Sequence, residues 1–188
     1  MRAKGLKIVA DYVQCYAVEL GRLTFEPEKE FETLIEYEDG SGGALVSGAI
    51  DIVRQDDPPR VTLIDFKSGD PDLDRHQRLD EEEMKLQVSL YAVAAKRELE
   101  YQPEQGLVRY LDADGKDKSE LRVPLDEDAL NQARKTVAST ASRIRDRAFH
   151  QGPADRGEGK RRCADCDFVS VCGMTEAMAV KQAKPAEW

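Results

Sequence analysis

The sequence contains no run approaching the roughly 18 consecutive apolar residues that a membrane-spanning helix requires. Its short basic start, MRAKGLKIVA, has neither a long apolar core nor a small-residue cleavage site. These absences predict a cytoplasmic protein. No block of about five or six like charges suggests a disordered tail, and no segment repeats. No GxxxxGK[ST] stretch is present, which excludes ATP binding and helicase activity from these residues. There are only four cysteines, and in a reducing compartment they are better candidates for metal or cluster ligation than for a disulfide framework.

What is present is enough for one ordinary domain: 188 residues, 40% of them hydrophobic, can bury a real core. Charged residues make up 35% of the chain and leave a net charge of −9. Duplex DNA is held largely by Lys and Arg displacing counterions from phosphates. An acidic chain of this kind is therefore not expected to bind nucleic acid by bulk charge, and any such contact must be local or bridged by metal ions.

From Ala3 to Leu23 the residues Leu6, Ile8, Val9, Tyr12, Val13, Tyr16, Ala17 and Leu20 recur at spacings of three and four, which predicts an amphipathic helix. Lys29 to Tyr37 and Ala44 to Arg54 read as two strands of a hairpin around Glu38-Asp39-Gly40-Ser41-Gly42-Gly43. After the break at Asp56-Asp57-Pro58-Pro59, Arg60 to Lys67 reads as a third strand rich in β-branched residues. Asp72 to Asp80 reads as a loop. Glu81 to Leu99 reads as a helix with a broad apolar side. Two short strands, Gly106 to Leu111 and Ser119 to Val123, flank an Asp-Gly turn. Asp126 can cap a long helix that runs to about Phe149. This order implies an α/β (α+β) layered fold with a mixed central sheet flanked by helices and a cysteine-bearing tail. We expect a single domain, with an N-terminal helix over 1–25, a core over 26–150 and the tail over 151–188.

Asp51 lies on the second strand and Asp65 on the third, with Lys67 two residues on and therefore on the face of Asp65. If those strands pair, three charged side chains converge. Hydrolysis of a phosphodiester needs a divalent cation to polarise the phosphoryl oxygen and to lower the pKa of the attacking water, and carboxylates are suitable hard ligands for Mg²⁺. A lysine beside the metal can orient that water or neutralise charge on the phosphate. The bland alternative is a pair of exposed strand carboxylates with Lys67 as their solvated counter-ion. Against it, Ala49-Ile50 precede Asp51 and Leu63-Ile64 precede Asp65, so both acids stand at the ends of apolar runs. Gln87 and Tyr91 fall at i and i+4 on one face of a helix, where Tyr91 could equally be core and Gln87 a boundary residue.

The series GAIDIV, VTLIDFKSG and KLQVSLYA resembles the motifs of the RecB-like branch of the PD-(D/E)xK nucleases. That branch includes AddB and nuclease domains fused to UvrD-type helicases. The resemblance implies a restriction-endonuclease-like fold and a catalytic centre at Asp51, Asp65 and Lys67, with Mg²⁺ or Mn²⁺ held by the two acids and the backbone carbonyl of Phe66. It also implies that Gln87 and Tyr91, matching the family's Q-x-x-x-Y, help to position the DNA strand or the metal site. Glu28-Lys29-Glu30-Phe31 resembles the family's first strand, with Phe31 serving packing alone. The activity implied is hydrolysis of DNA at single-stranded ends, in repair or recombination and in company with a helicase.

Cys163, Cys166 and Cys172 stand as CxxC, five residues and a third Cys. Such spacing suits zinc or an iron–sulfur cluster, or else three small buried hydrophobes packed with Phe168 and Val171. CADCDFVSVC resembles the C-terminal part of the [4Fe–4S] staple of several nucleases of this family, which implies a fourth ligand upstream. Cys15 is the candidate for it, within YVQCYAVEL and without the family's Cys-Pro pair. The family's usual histidine before the first strand is also missing, since no His precedes His76. Glu19 is the candidate to replace it. These gaps lead us to expect that Met1 begins a fragment, a truncated gene or an excised domain. They also leave open a second reading, a nuclease-fold remnant that binds DNA or serves as a scaffold without turnover. Arg143, Arg145, Arg147, Arg156, Lys160, Arg161 and Arg162 form either a solvated helix face or a local phosphate-binding surface.

Overall fold

In a computed structural model, which describes residues 2–68, 81–111 and 120–148, the run Arg60–Lys67 forms the centre of a sheet. The chain divides into two compact units, Met1–Asp146 and Arg147–Trp188, and every helix and strand described belongs to the first. The sheet has five strands in chain order: β1 (Thr24–Glu36), β2 (Gly43–Asp57), β3 (Arg60–Lys67), β4 (Gln102–Tyr110) and β5 (Glu120–Val123). The pairings β1–β2, β2–β3 and β4–β5 are antiparallel, while β3–β4 is parallel. A parallel pair needs a long crossover, and α3 (Glu81–Glu98) lies on it. The mixed sheet flanked by helices is the layered arrangement expected from the element order.

β3 matches its predicted range, and Val61 to Asp65 are buried without a break. Continuous burial marks a strand covered on both faces. β1 begins at Thr24, five residues before the predicted start, because Pro27 reads as a strand breaker and is in fact placed on the sheet's edge strand. Edge strands tolerate proline, whose missing N–H faces no partner. Next to it Glu28 has φ 49°, a left-handed backbone, and the β1–β2 ladder skips the pair it would form with Asp51. The hairpin turn between β1 and β2 places Gly40 and Gly42 at φ 68° and 134°, conformations that side chains disfavour.

α3 buries Val88, Ala92, Val93, Ala94 and Ala95 between the sheet and α4, all fully or almost fully. Acidic residues Glu81, Glu82 and Glu83 in its first turn and Lys96 and Arg97 in its last complement the helix dipole. The contact with β4 is so close that a Cβ on Gly106 would lie 2.5 Å from Val88 Cγ1. α4 (Glu127–Arg145) packs beside α3 through Leu130, Ala133 and Ala138. Its predicted cap is present, with Asp126 accepting from the Ala129 amide at 2.9 Å.

The N-terminal helix differs from expectation. It is two helices, α1 (Arg2–Cys15) and α2 (Ala17–Leu20), and the predicted apolar face looks largely outward: Leu6, Val9 and Val13 are 66%, 60% and 50% exposed. The stripe turned inward is Ile8, Tyr12 and Tyr16 of the predicted set, joined by Glu19. Tyr16 is 3% exposed, and its ring lies 3.9 Å from the guanidinium of Arg109. A buried cation with aromatic and carboxylate partners, rather than aliphatic burial, determines which side of this helix faces the sheet. The predicted loop Asp72 to Asp80, the turn Asp112 to Gly115 and the cysteine tail lie outside the described residues.

The Gly106 contact gives a direct expectation. Gly106→Ala must push α3 from β4, because Val88 is stiff at χ1, and should cost about 1–3 kcal/mol of stability. Urea unfolding of the two proteins measures it, and equal midpoints would contradict the close approach.

Candidate active site

Asp65 lies near the end of β3 on the face covered by α3, where alternation groups it with Val61 and Leu63. One register step beyond the Ile52–Ile64 pair, Asp51 stands opposite it on β2. Asp51 is partly buried, and its Oδ2 accepts the Phe66 amide at 2.7 Å, so β3's own backbone holds this carboxylate. Asp65 is 1% exposed. Lys67, two residues further on, returns along the same face and sets Nζ 2.7 Å from Asp65 Oδ2.

α3 closes the arrangement. Lys67 Nζ donates to Gln87 Oε1 at 3.0 Å, and Gln87 Nε2 donates to the Tyr91 hydroxyl at 2.6 Å. That hydroxyl reaches Asp65 Oδ1 at 3.4 Å. Asp65, Lys67, Gln87 and Tyr91 thus form a ring of polar contacts between β3 and α3. The i,i+4 spacing makes this possible, since it places Gln87 and Tyr91 one turn apart on the helix face that meets the strand. Tyr91 is a core residue by its ring and a polar contact by its hydroxyl. Its ring is buried 5.9 Å from that of Phe31 in edge-to-face contact, while its hydroxyl belongs to the polar ring.

Burial dominates the electrostatics. Withdrawal from water raises the Asp65 carboxyl above the ordinary carboxylate range, although the Lys67 ammonium pulls it down. The Tyr91 hydroxyl is pushed up to about 12, again first by burial, and so stays protonated as a donor. Asp65 Oδ2 is buried and accepts no hydrogen bond. The Lys67 ammonium lies 2.7 Å from this oxygen. A buried anionic oxygen with free lone pairs is costly unless something positive meets it.

Such an oxygen, beside a second carboxylate, fits a small hard cation. Mg²⁺ is commonly bound through one or two carboxylates, with water and substrate phosphates completing its octahedron. Asp51 and Asp65 supply that number. No group of three or more His, Cys, Asp or Glu suited to a metal occurs among the described residues. Cys15 is exposed and free at the end of α1, while Cys163, Cys166 and Cys172 lie outside the described residues. Glu19 does not join the carboxylates. Arg54 and Arg109 hold it at 3.0 and 2.9 Å, on the sheet face opposite α3. Arg145, one of the basic residues near the chain's end, stacks on Tyr37 and pairs with Asp146 and Asp39. A separate cleft lined by Glu26, Pro58, Pro59 and Tyr101 lies by the start of β3 and shares no residue with this site.

The raised Asp65 carboxyl has a stability consequence. A carboxyl whose folded pKa is raised destabilises the fold when ionised, so its cost is absent at acid pH and develops as pH rises through the folded pKa. Asp65→Asn should therefore stabilise the protein at neutral pH, by about 0.5–2 kcal/mol if it behaves as other relieved functional sites do. Thermal melts across pH should show the gain shrinking as pH falls, and a gain that grows in acid would contradict the assignment.

A family model described as the PD-(D/E)XK nuclease superfamily matches residues 5–173. No curated protein matches. Among solved structures, one described as the crystal structure of SSO0001 is similar at 18% identity and a TM-score of 0.47, over 86% of this chain. This chain spans 66% of that protein's length. With most of its length matched, and with a five-stranded mixed sheet flanked by helices in the restriction-endonuclease-like manner, the chain belongs to the PD-(D/E)XK nuclease superfamily.

Proposed function

We propose that this chain is a metal-dependent deoxyribonuclease of the RecB/AddB-like kind, with Asp51, Asp65, Lys67, Gln87 and Tyr91 as its catalytic set. The observation that carries the reading is the buried carboxylate of Asp65, in contact with Lys67 and opposite Asp51. Asp51 and Asp65 would hold Mg²⁺ or Mn²⁺, with the Phe66 carbonyl between Asp65 and Lys67 as a further oxygen donor. When bound, the metal supplies Lewis-acid polarisation of the phosphoryl oxygen and a water of lowered pKa.

The protein's own groups do the rest. Lys67, one-fifth exposed, presents a fixed ammonium at the edge of the buried acids, where it can orient a water and offset charge developing on the phosphate. Gln87 holds that ammonium through Oε1 and so limits its freedom. Tyr91, kept protonated, donates towards Asp65 and fixes the carboxylate's rotation. Burial of Asp65 excludes water from one side of the centre and strengthens each of these contacts. DNA repair, action on single-stranded ends, a helicase partner and an iron–sulfur cluster or zinc on Cys163, Cys166 and Cys172 are finer proposals. They rest on the motif series and the cysteine spacing alone.

The test is cleavage of labelled single-stranded DNA with and without Mn²⁺, by the parent chain, Lys67→Ala and Asp65→Ala. Lys67→Ala should lose roughly 100-fold or more in rate, as removal of a preorganised charge-stabilising group does. Asp65→Ala should lose saturable Mn²⁺ binding by calorimetry. Equal cleavage by the parent and Lys67→Ala would sink the role given to Lys67.

A further inference from the structure

Behind the catalytic face lies a second polar cluster, centred on Arg109 of β4. Arg109 is 2% exposed. Its side chain leaves the sheet on the side opposite α3, as its neighbour Val108 belongs to the α3-side cluster with Met84 and Val88. There its guanidinium donates to the Tyr12 hydroxyl at 2.9 Å, to Glu19 at 2.9 Å and to Glu120 at 3.3 Å, and it stacks on Tyr16. Fully burying an arginine is costly unless its donors are met in the geometry of a planar fork. An aliphatic residue in its place would cover the sheet at less cost, so bulk packing does not account for the choice.

The cluster touches the catalytic strand at one residue. Phe66 is Arg109's register partner in the parallel β3–β4 ladder. It lies between Asp65 and Lys67, which face α3, so alternation sends its ring to the back. There it meets the Tyr12 ring edge-on, with centroids 5.4 Å apart and planes at 85°. The amide of this same residue anchors Asp51 Oδ2. The side chain is therefore held from behind and the amide is used in front. We propose that Arg109 is a positioning residue of the catalytic centre: it holds Tyr12 against Phe66 and thereby fixes the amide on which the Asp51 carboxylate rests. This deepens the nuclease reading above and depends on it.

A cluster that only pinned α1 and α2 to the sheet would govern stability and nothing else. A positioning cluster must also govern the acids on the far face. The experiment compares the full-length parent with Tyr12→Ala, Tyr12→Phe and Arg109→Met, each held well below its Tm. Calorimetry with Mn²⁺ reads metal affinity, NMR reads exchange of the Phe66 amide, and cleavage of single-stranded DNA gives kcat and KM separately. Tyr12→Ala and Arg109→Met should weaken Mn²⁺ binding about tenfold, as loss of a group that orients a ligand typically does. They should also speed exchange of the Phe66 amide and lower kcat while leaving KM for DNA near the parent value. Tyr12→Phe keeps the ring beside Phe66 but loses the hydrogen bond from Arg109, and should show the same changes as Tyr12→Ala to a smaller extent, with Mn²⁺ binding still more than about twofold weaker than in the parent. If Arg109→Met does not fold, the Tyr12 pair decides alone. Parent-like Mn²⁺ affinity and amide exchange in folded Tyr12→Ala would overturn the proposal with the nuclease reading intact. A parent chain that neither binds Mn²⁺ nor cuts DNA would overturn both.

Discussion

The structure depends on a carboxylate placed where carboxylates rarely go. Asp65 is almost fully buried in a strand covered on both faces, and its charge is tolerated only through what surrounds it. Lys67 supplies the opposite charge, Tyr91 supplies a hydroxyl, and Asp51 supplies a second negative group that makes a bound cation more favourable still. Each partner requires a particular element. Lys67 needs the two-residue strand period, Asp51 needs the antiparallel β2–β3 register, and Gln87 with Tyr91 needs a helix laid across β3 and β4. The architecture can be read as what is needed to keep one acid dry and poised.

Much of this was legible in the sequence because the relevant periods are short. The spacing of Asp65 and Lys67 fixes their common face as soon as the segment is a strand, and the spacing of Gln87 and Tyr91 does the same for a helix. The β3 segment is so rich in β-branched residues that its bounds are read directly. The N-terminal segment failed for the complementary reason. Its apolar residues recur at helical spacing, but its inward stripe contains Tyr12, Tyr16 and Glu19, whose attraction to a buried arginine about a hundred residues away is a long-range fact. Nothing near Arg109 in the sequence distinguishes it from a surface charge on a short strand. Glu19, weighed as a substitute for a missing histidine, is bound by guanidinium groups at the back for the same non-local reason. A proline at the sheet edge likewise hid the first residues of β1, since a breaker in the interior is harmless on an edge.

The two faces of the sheet are stabilised differently. Towards α3 and α4, apart from the polar ring at Asp65, the contacts are aliphatic and alanine-rich, with a close approach at Gly106. Towards α1 and α2 they include a buried cation, two tyrosine rings and two carboxylates. Aliphatic contact is non-directional and tolerates small shifts, whereas the guanidinium fork fixes orientation.

The strand order has a kinetic consequence. Every neighbour in the sheet is also a neighbour along the chain, so β1–β2, β2–β3 and β4–β5 can each close as local pairings. Only the parallel β3–β4 pair, whose connection carries α3, must bring distant segments together. Loop closure at long sequence separation is what slows folding. The step that docks α3 and joins β4 to β3 is therefore the expected bottleneck, and it is also the step that first brings Gln87 and Tyr91 to Asp65. The polar ring at Asp65 and the folded topology are completed together.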